Sequence, residues 1–159
     1  MSRLLLTALT ALLLSVGAAW AGPVEDGRAA SQHDDYATVM RISRSLAAQR
    51  YAHAQYVLGV TYYIGKGTAQ DYAEAAKWFR LAAAQGSTSA QFNLGTMYDQ
   101  GQGVEQDYVH AHMWSSLGGA SGDGVKNRDL VAVRMTPQQI ADAQKMAREC
   151  QQHDFAGCD

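Results

Sequence analysis

Four groups of residues have types and spacings that could do chemistry. Gly65-Lys66-Gly67-Thr68 sets a lysine and a hydroxyl among glycines, the composition of a loop that cradles phosphate. A Walker-type loop places Ser or Thr directly after Gly-Lys, and here Gly67 follows Lys66. His110 and His112 are imidazoles two residues apart. On a helix such neighbours point in different directions, whereas a zinc-binding helix spaces its histidines by four. Ser115-Ser116 offers hydroxyls beside Trp114, but a nucleophile needs a partnered base, and neither Ser-x-x-Lys nor Gly-x-Ser-x-Gly occurs. Cys150 and Cys158 are the chain's two cysteines. A zinc site wants about four ligands, and only His153 lies near them. No catalytic residue, metal ligand or cofactor is assigned from these groups.

The chain opens "MSRLLLTALTALLLSVGAAWAG", with Arg3 before an apolar run over residues 4–19 and small residues at Ala19 and Ala21. That pattern is a secretory signal, with cleavage expected after Ala21. The run is short of the roughly 20 apolar residues a spanning helix needs. No cysteine stands at the cleavage point, so a lipid-anchored form is not expected. The expected location is periplasmic or secreted, with no membrane span after cleavage. An oxidising compartment permits a Cys150–Cys158 disulfide, and closing so short a loop removes roughly 2.5 kcal/mol of chain entropy. The 159 residues carry 13 Lys+Arg and 15 Asp+Glu, a formal charge of −2. Without a clustered cationic surface, nucleic acid is not an expected partner.

The elements that would position any site follow from an internal repeat. Residues 54–86 lie over residues 90–122 without a gap, an offset of 36 positions. Ala54, Gln55, Leu58, Gly59, Tyr62, Gly65, Gly67, Gln70, Asp71, Tyr72, Ala75, Trp78, Leu81, Ala84 and Gly86 all recur, but Lys66 becomes Gln102 and Thr68 becomes Val104. The glycines survive and the phosphate-binding groups do not, so the loop reads as a hinge that needs φ > 0. Ala54, Leu58 and Tyr62 form one stripe of a first helix. Gly59 costs helix propensity and makes sense if another helix approaches there. Asp71 can cap a second helix, with Tyr72, Ala75, Trp78 (or Phe79) and Ala82 on its buried side until Gly86. Trp78 and Trp114, at equivalent positions, are expected as core pillars.

Upstream, Asp35, Tyr36, Ala37, Ala47, Ala48 and Gln49 repeat the second helix, with Arg50 where a glycine is expected. Downstream, Leu130 falls where Leu58 and Leu94 do, placing a closing first helix over residues 125–135. Thr136, Pro137 and Gln139 then open a last helix with a capping box, its inward stripe Ile140, Ala143 and Met146 with Ala147. Residues 22–32 lack periodicity, and no segment alternates as a strand would.

On Ala54, Leu58, Gly59, Tyr62, Gly65, Gly67, Asp71, Ala75, Trp78, Ala82, Ala83, Gly86 and their counterparts, each unit resembles a Sel1-like repeat, a relative of the tetratricopeptide repeat. The resemblance implies an all-α, right-handed α-solenoid of antiparallel helix pairs with about seven helices. The expected organisation is a signal peptide at 1–21, a flexible lead-in at 22–33 and the solenoid at 34–152. The solenoid divides into a half unit 34–50, repeats 51–86 and 87–122, and a closing unit 123–152, before a tail at 153–159. Gly118-Gly119 in place of Ala82-Ala83 is expected to loosen the end of its helix.

The resemblance also implies a non-catalytic adaptor that holds a protein or peptide of the cell envelope on its concave face. By analogy with tetratricopeptide repeats, a second stripe on the first helices lines that face: His53, Tyr56, Val60, Tyr63 and Ile64 in one unit, Ser89, Phe92, Thr96, Asp99 and Gln100 in the next, with His53, Tyr56, Val60, Tyr63, Phe92, Thr96 and Gln100 as the candidate contacts. Its aromatic members are either exposed anchors or packed against the neighbouring unit. The alternative is a peptidoglycan- or β-lactam-binding protein or hydrolase of the kind linked to cysteine-rich Sel1-repeat proteins. That branch carries a disulfide within each unit, and neither unit here contains cysteine.

Overall fold

A computed structural model describes residues 22–33, 35–119 and 122–158. The signal-peptide expectation therefore lies outside the described residues. Among those described, the regular structure is α-helical: α1 (Pro23–Gln32), α2 (Tyr36–Ala48), α3 (Ala52–Ile64), α4 (Tyr72–Ala83), α5 (Thr88–Gln100), α6 (Tyr108–Leu117), α7 (Gly122–Ala132) and α8 (Pro137–Gln152). That is eight helices rather than about seven. The extra one is α1, in the segment expected to be a flexible lead-in. Pro23 starts it at the first helical position, and Glu25 and Asp26 supply the acidic first turn a helix N-terminus favours.

The chain divides into two compact units, the first ending at Ile42 and the second running over Ser43–Asp159. In the first, Gly27 faces the Ile42 side chain, and Ala30, Val39 and Met40 are buried. The second is the solenoid. Its helices pack in sequence, α3 on α4, α4 on α5, α5 on α6 and α6 on α7. Short connections between amphipathic helices force such neighbours together.

The repeat holds at the level of single atoms. Asp35, Asp71 and Asp107, spaced by 36, each accept a backbone N–H of the helix they start. Gly65 and Gly101 end α3 and α5 in the left-handed region, at φ 69° and 66°. Gln70 and Gln106 stand against those glycines and donate to the Tyr63 and Asp99 carbonyls at 2.8 and 2.7 Å. Equivalent glycines thus sit in equivalent surroundings, which is what a hinge requires. Buried Gln55 and Gln91 each donate at 3.3 Å to a carbonyl at the end of the preceding helix, Ala47 and Ala83. Arg44 and Arg80 donate to the Tyr62 and Tyr98 hydroxyls.

Gly59 and Gly95 admit a neighbouring helix as expected, each in its own way. A Cβ on Gly59 would lie 2.5 Å from the Phe79 ring, whereas one on Gly95 would strike Ser115 and stand 3.1 Å from the Ala111 carbonyl. The deep position of the second helix is therefore 79 and 115. Phe79 and Ser115 are fully buried, and so is Trp114, whereas Trp78 is only half-buried. One of the two expected pillars is a flank.

Arg50 takes the place of Gly86 in the repeat and adopts its backbone, at φ 65° against 79°. The hydrogen bonds match: Arg50 N–H to Ala47 O and Tyr51 N–H to Leu46 O, as Gly86 N–H to Ala83 O and Ser87 N–H to Ala82 O. A side chain in this region costs about 1–2 kcal/mol, and the more flexible unfolded glycine returns part of that. Arg50→Gly is expected to stabilise the chain by about 1 kcal/mol in urea denaturation; a loss would mean the arginine side chain holds something the backbone does not.

The closing segment departs from the register. Leu130 is 63% exposed and Val131 takes the buried place at 0%. The cause lies at Gly118-Gly119 and Gly124. A Cβ on Gly124 would be 2.5 Å from the Gly119 Cα, so α7 starts backbone-to-backbone on the end of α6. The link from α7 to α8 also spans only residues 133–136, against 65–71 and 101–107 in the repeats. The capping box forms, with Thr136 Oγ1 accepting from Gln139 N–H and Gln139 Oε1 from Thr136 N–H. So short a turn brings α8 onto α6, where Ala143, Ala147 and Cys150 are buried and Ile140 and Met146 half-buried. Enclosed by α5, α7 and α8, α6 is buried nearly all round, as its weakly amphipathic sequence demands.

Candidate functional site

The stripe on the first helices lies at the boundary between core and solvent. Tyr56 is half-buried, its ring 5.9 Å from Phe79 and 6.4 Å from the exposed His53. Val60 and Tyr63 pack half-buried against the core. Tyr63 meets Tyr72 edge-on at 5.2 Å, and its hydroxyl donates to Gln102 Oε1 at 2.9 Å in the next repeat's turn. Burial, with Tyr72 beside it, pushes the Tyr63 hydroxyl pKa up, so it stays a neutral donor. On α5, Phe92 and Thr96 are half-buried, Thr96 Oγ1 donating to the Phe92 carbonyl at 3.3 Å, and Gln100 is exposed. The two ends of the question posed by the sequence are thus both present: Tyr56 and Tyr63 pack on one side and keep another toward solvent, and Phe92 is half-buried.

The groups with chemical potential are used structurally. The His110 ring stacks on Tyr98 at 5.0 Å and contacts Asp107 through Nδ1 at 2.7 Å. Burial works against the Asp107 charge, but hydrogen bonds from His110 and Val109 outweigh it and hold the carboxyl below its usual range. His112 is buried, its Nδ1 without a partner. The two imidazoles occupy separate surroundings, and no three His, Cys, Asp or Glu side chains among the described residues converge as metal ligands. Ser115 Oγ accepts from Asn127 at 2.7 Å and Ser116 Oγ donates to the His112 carbonyl at 2.8 Å, so these serines contact an amide and a backbone oxygen and not a base. Cys150 and Cys158 are joined by a disulfide. It closes a loop in which Phe155 lies against Gly86. Sequence reasoning missed the Asp99–Arg134 ion pair at 2.6 Å and the exposed apolar Tyr51, Leu81 and Val133. The Arg44 and Arg80 recurrence was the one available signal for the arginine–tyrosine pairs.

His112 gives the fold a pH dependence. Burial, aided by Arg128 and opposed by Asp129, lowers its pKa from the ordinary 6.5. The folded chain holds it neutral while the unfolded chain protonates it, so its contribution is present above about 6.5 and is lost as pH falls below that. The melting temperature should fall between pH 7 and pH 5, and less so in His112→Asn. An equal fall in both would place the acid sensitivity elsewhere.

Comparison with known proteins agrees with this architecture. The Sel1 repeat model matches residues 52–87 and 88–123. No curated protein matches the chain. Among solved structures, the chain is similar to c5321, a protective antigen present in uropathogenic Escherichia coli strains displaying an SLR fold, with 27% identity and a TM-score of 0.78 over 89% of this chain and 32% of that one. A Sel1 repeat protein from Oxalobacter formigenes superposes with a TM-score of 0.57 at 21% identity, over 81% of this chain and 64% of the other, a likeness of fold alone. This chain spans about a third of the first relative's length and under two thirds of the second's. No helix among the described residues is long and apolar enough to cross a membrane. Two contiguous matched Sel1 repeats, built on the same glycine turns and aspartate caps in an all-helical solenoid, support a Sel1-like repeat protein.

Proposed function

We propose that the chain is an exported, non-catalytic adaptor that binds a protein or peptide of the cell envelope along His53, Tyr56, Val60, Tyr63, Phe92, Thr96 and Gln100. Sel1 repeats commonly mediate protein–protein interaction, and this chain holds two. The observation that carries the reading is the half-buried state of Tyr56 and Phe92. A ring such as Tyr56, already packed on Phe79 on one side, loses little entropy when a partner covers the other. Export is supported by the sequence of residues 1–21 and by the disulfide, a bond of oxidising compartments.

Crosslinking in cells followed by mass spectrometry, with wild type and a Tyr56→Ala/Phe92→Ala variant, tests the binding face. The variant should lose a partner that the wild type captures; an unchanged partner set would remove the stripe from consideration. N-terminal sequencing of the mature protein tests export, with Gly22 as the expected first residue.

A further inference from the structure

In the first repeat charge is confined to the second helix, whereas in the second repeat the second helix, α6, has no Asp, Glu, Lys or Arg. In a chain whose residues are 18% charged, α3 contains no Asp, Glu, Lys or Arg. Its counterpart α5 contains only Asp99, which is held by Arg134 at 2.6 Å. The second helix α4 carries Glu74, Lys77 and Arg80, and α8 carries Asp142, Lys145, Arg148 and Glu149. On α7, Arg128 is paired with Asp129 at 2.7 Å. Besides His53, the polar groups of the proposed stripe are the Thr96 hydroxyl, the Gln100 amide and the hydroxyls of Tyr56 and Tyr63.

We infer that the partner segment seated on this face is itself without charged residues, an extended peptide bearing aromatic or aliphatic side chains among amide and hydroxyl groups. This rests on the adaptor reading above and specifies its ligand. A charged side chain brought onto α3 would lose water and meet no counter-ion on that helix, and on α5 the one carboxylate, Asp99, is already held by Arg134, a penalty that a neutral segment avoids. The attraction then comes from apolar area laid on Tyr56, Val60 and Phe92 and from neutral hydrogen bonds. Neither is screened by salt, so affinity is set by contact and not by long-range steering.

The test uses the purified protein and an array of synthetic 15-residue peptides in three sets. One set is uncharged and aromatic-bearing; the others have two polar positions replaced by Asp or Glu, or by Lys or Arg. Binding is read at about 50 mM and about 500 mM NaCl, between which the Debye length falls severalfold. The uncharged set should bind best, with affinity changing less than about twofold between the salts. Gln100→Glu, at an exposed position, should weaken the uncharged set and make lysine-bearing peptides salt-dependent binders. Preference for either charged set, or a salt effect above about tenfold in wild type, overturns the inference while leaving the binding face intact. Binding to no set, or equal binding by Tyr56→Ala/Phe92→Ala, overturns the face itself and the inference with it.

Discussion

Gly103→Ala is expected to cost about 3 kcal/mol of stability in urea denaturation. Two penalties combine. Gly103 has φ +68°, where any L side chain is strained by about 1 kcal/mol. A Cβ there would also strike the Tyr72 carbonyl and the Ala73 nitrogen, backbone atoms at the start of α4 that cannot rotate away. The second repeat's turn therefore rests directly on the first repeat's second helix, and this contact nests one hairpin on the next. Gly101→Ala separates the two penalties. It has nearly the same φ, +66°, yet its nearest neighbour would be the Gln106 Cβ at 3.3 Å. It should cost only about 1 kcal/mol. Equal losses at both positions would mean that the nesting contact contributes nothing.

Much of this was legible from the 36-residue repeat. Asp71 and Asp107 cap their helices, the paired glycines take positive φ, and the Thr136-Pro137-Gln139 start forms as the motif requires. Each of these is local, decided within about four residues of chain, and so is written in a short window of sequence. The errors share the opposite character. Trp78 and Phe79 both fit an amphipathic stripe, and only the closeness of Gly59 selects Phe79 as the buried one. Leu130 matches Leu58 and Leu94 by count, but the Gly119–Gly124 contact sets how α7 lies and turns Val131 inward. Helix α1 went unread because its evidence is a proline start and two acids rather than an apolar stripe. The proposed stripe is a set of positions that periodicity names, whereas the half-burial of Tyr56 and Tyr63 depends on Phe79 and Tyr72 of the adjacent helix, which periodicity does not report.

Gly118→Ala tests the sharpest of these differences, because the two readings predict opposite signs. If Gly118 loosened the end of α6, as its replacement of Ala82 suggests, alanine would add helix propensity and stabilise by up to about 1 kcal/mol. The structure gives it another role. Its φ is −77°, so backbone strain is not at issue. A Cβ would instead lie 2.5 Å from the Phe92 nitrogen and 2.8 Å from the Thr88 carbonyl, both backbone atoms of α5. Overpacking against atoms that cannot change rotamer costs about 1–3 kcal/mol, and with backbone on both sides the upper part of that range applies. Gly118→Ala is therefore expected to destabilise by about 2 kcal/mol net of propensity. Gly122→Ala, with nothing within 4 Å of its Cβ, should be neutral or slightly stabilising and serves as the control. A stabilised Gly118→Ala would return the position to the loosening role. The destabilised outcome has a functional corollary, since the clash falls on the backbone of Phe92, one of the two aromatic anchors of the proposed face. Relief by moving α5 outward would shift Phe92 relative to Tyr56, so the same substitution should weaken capture of the partner at temperatures where the fold is still intact.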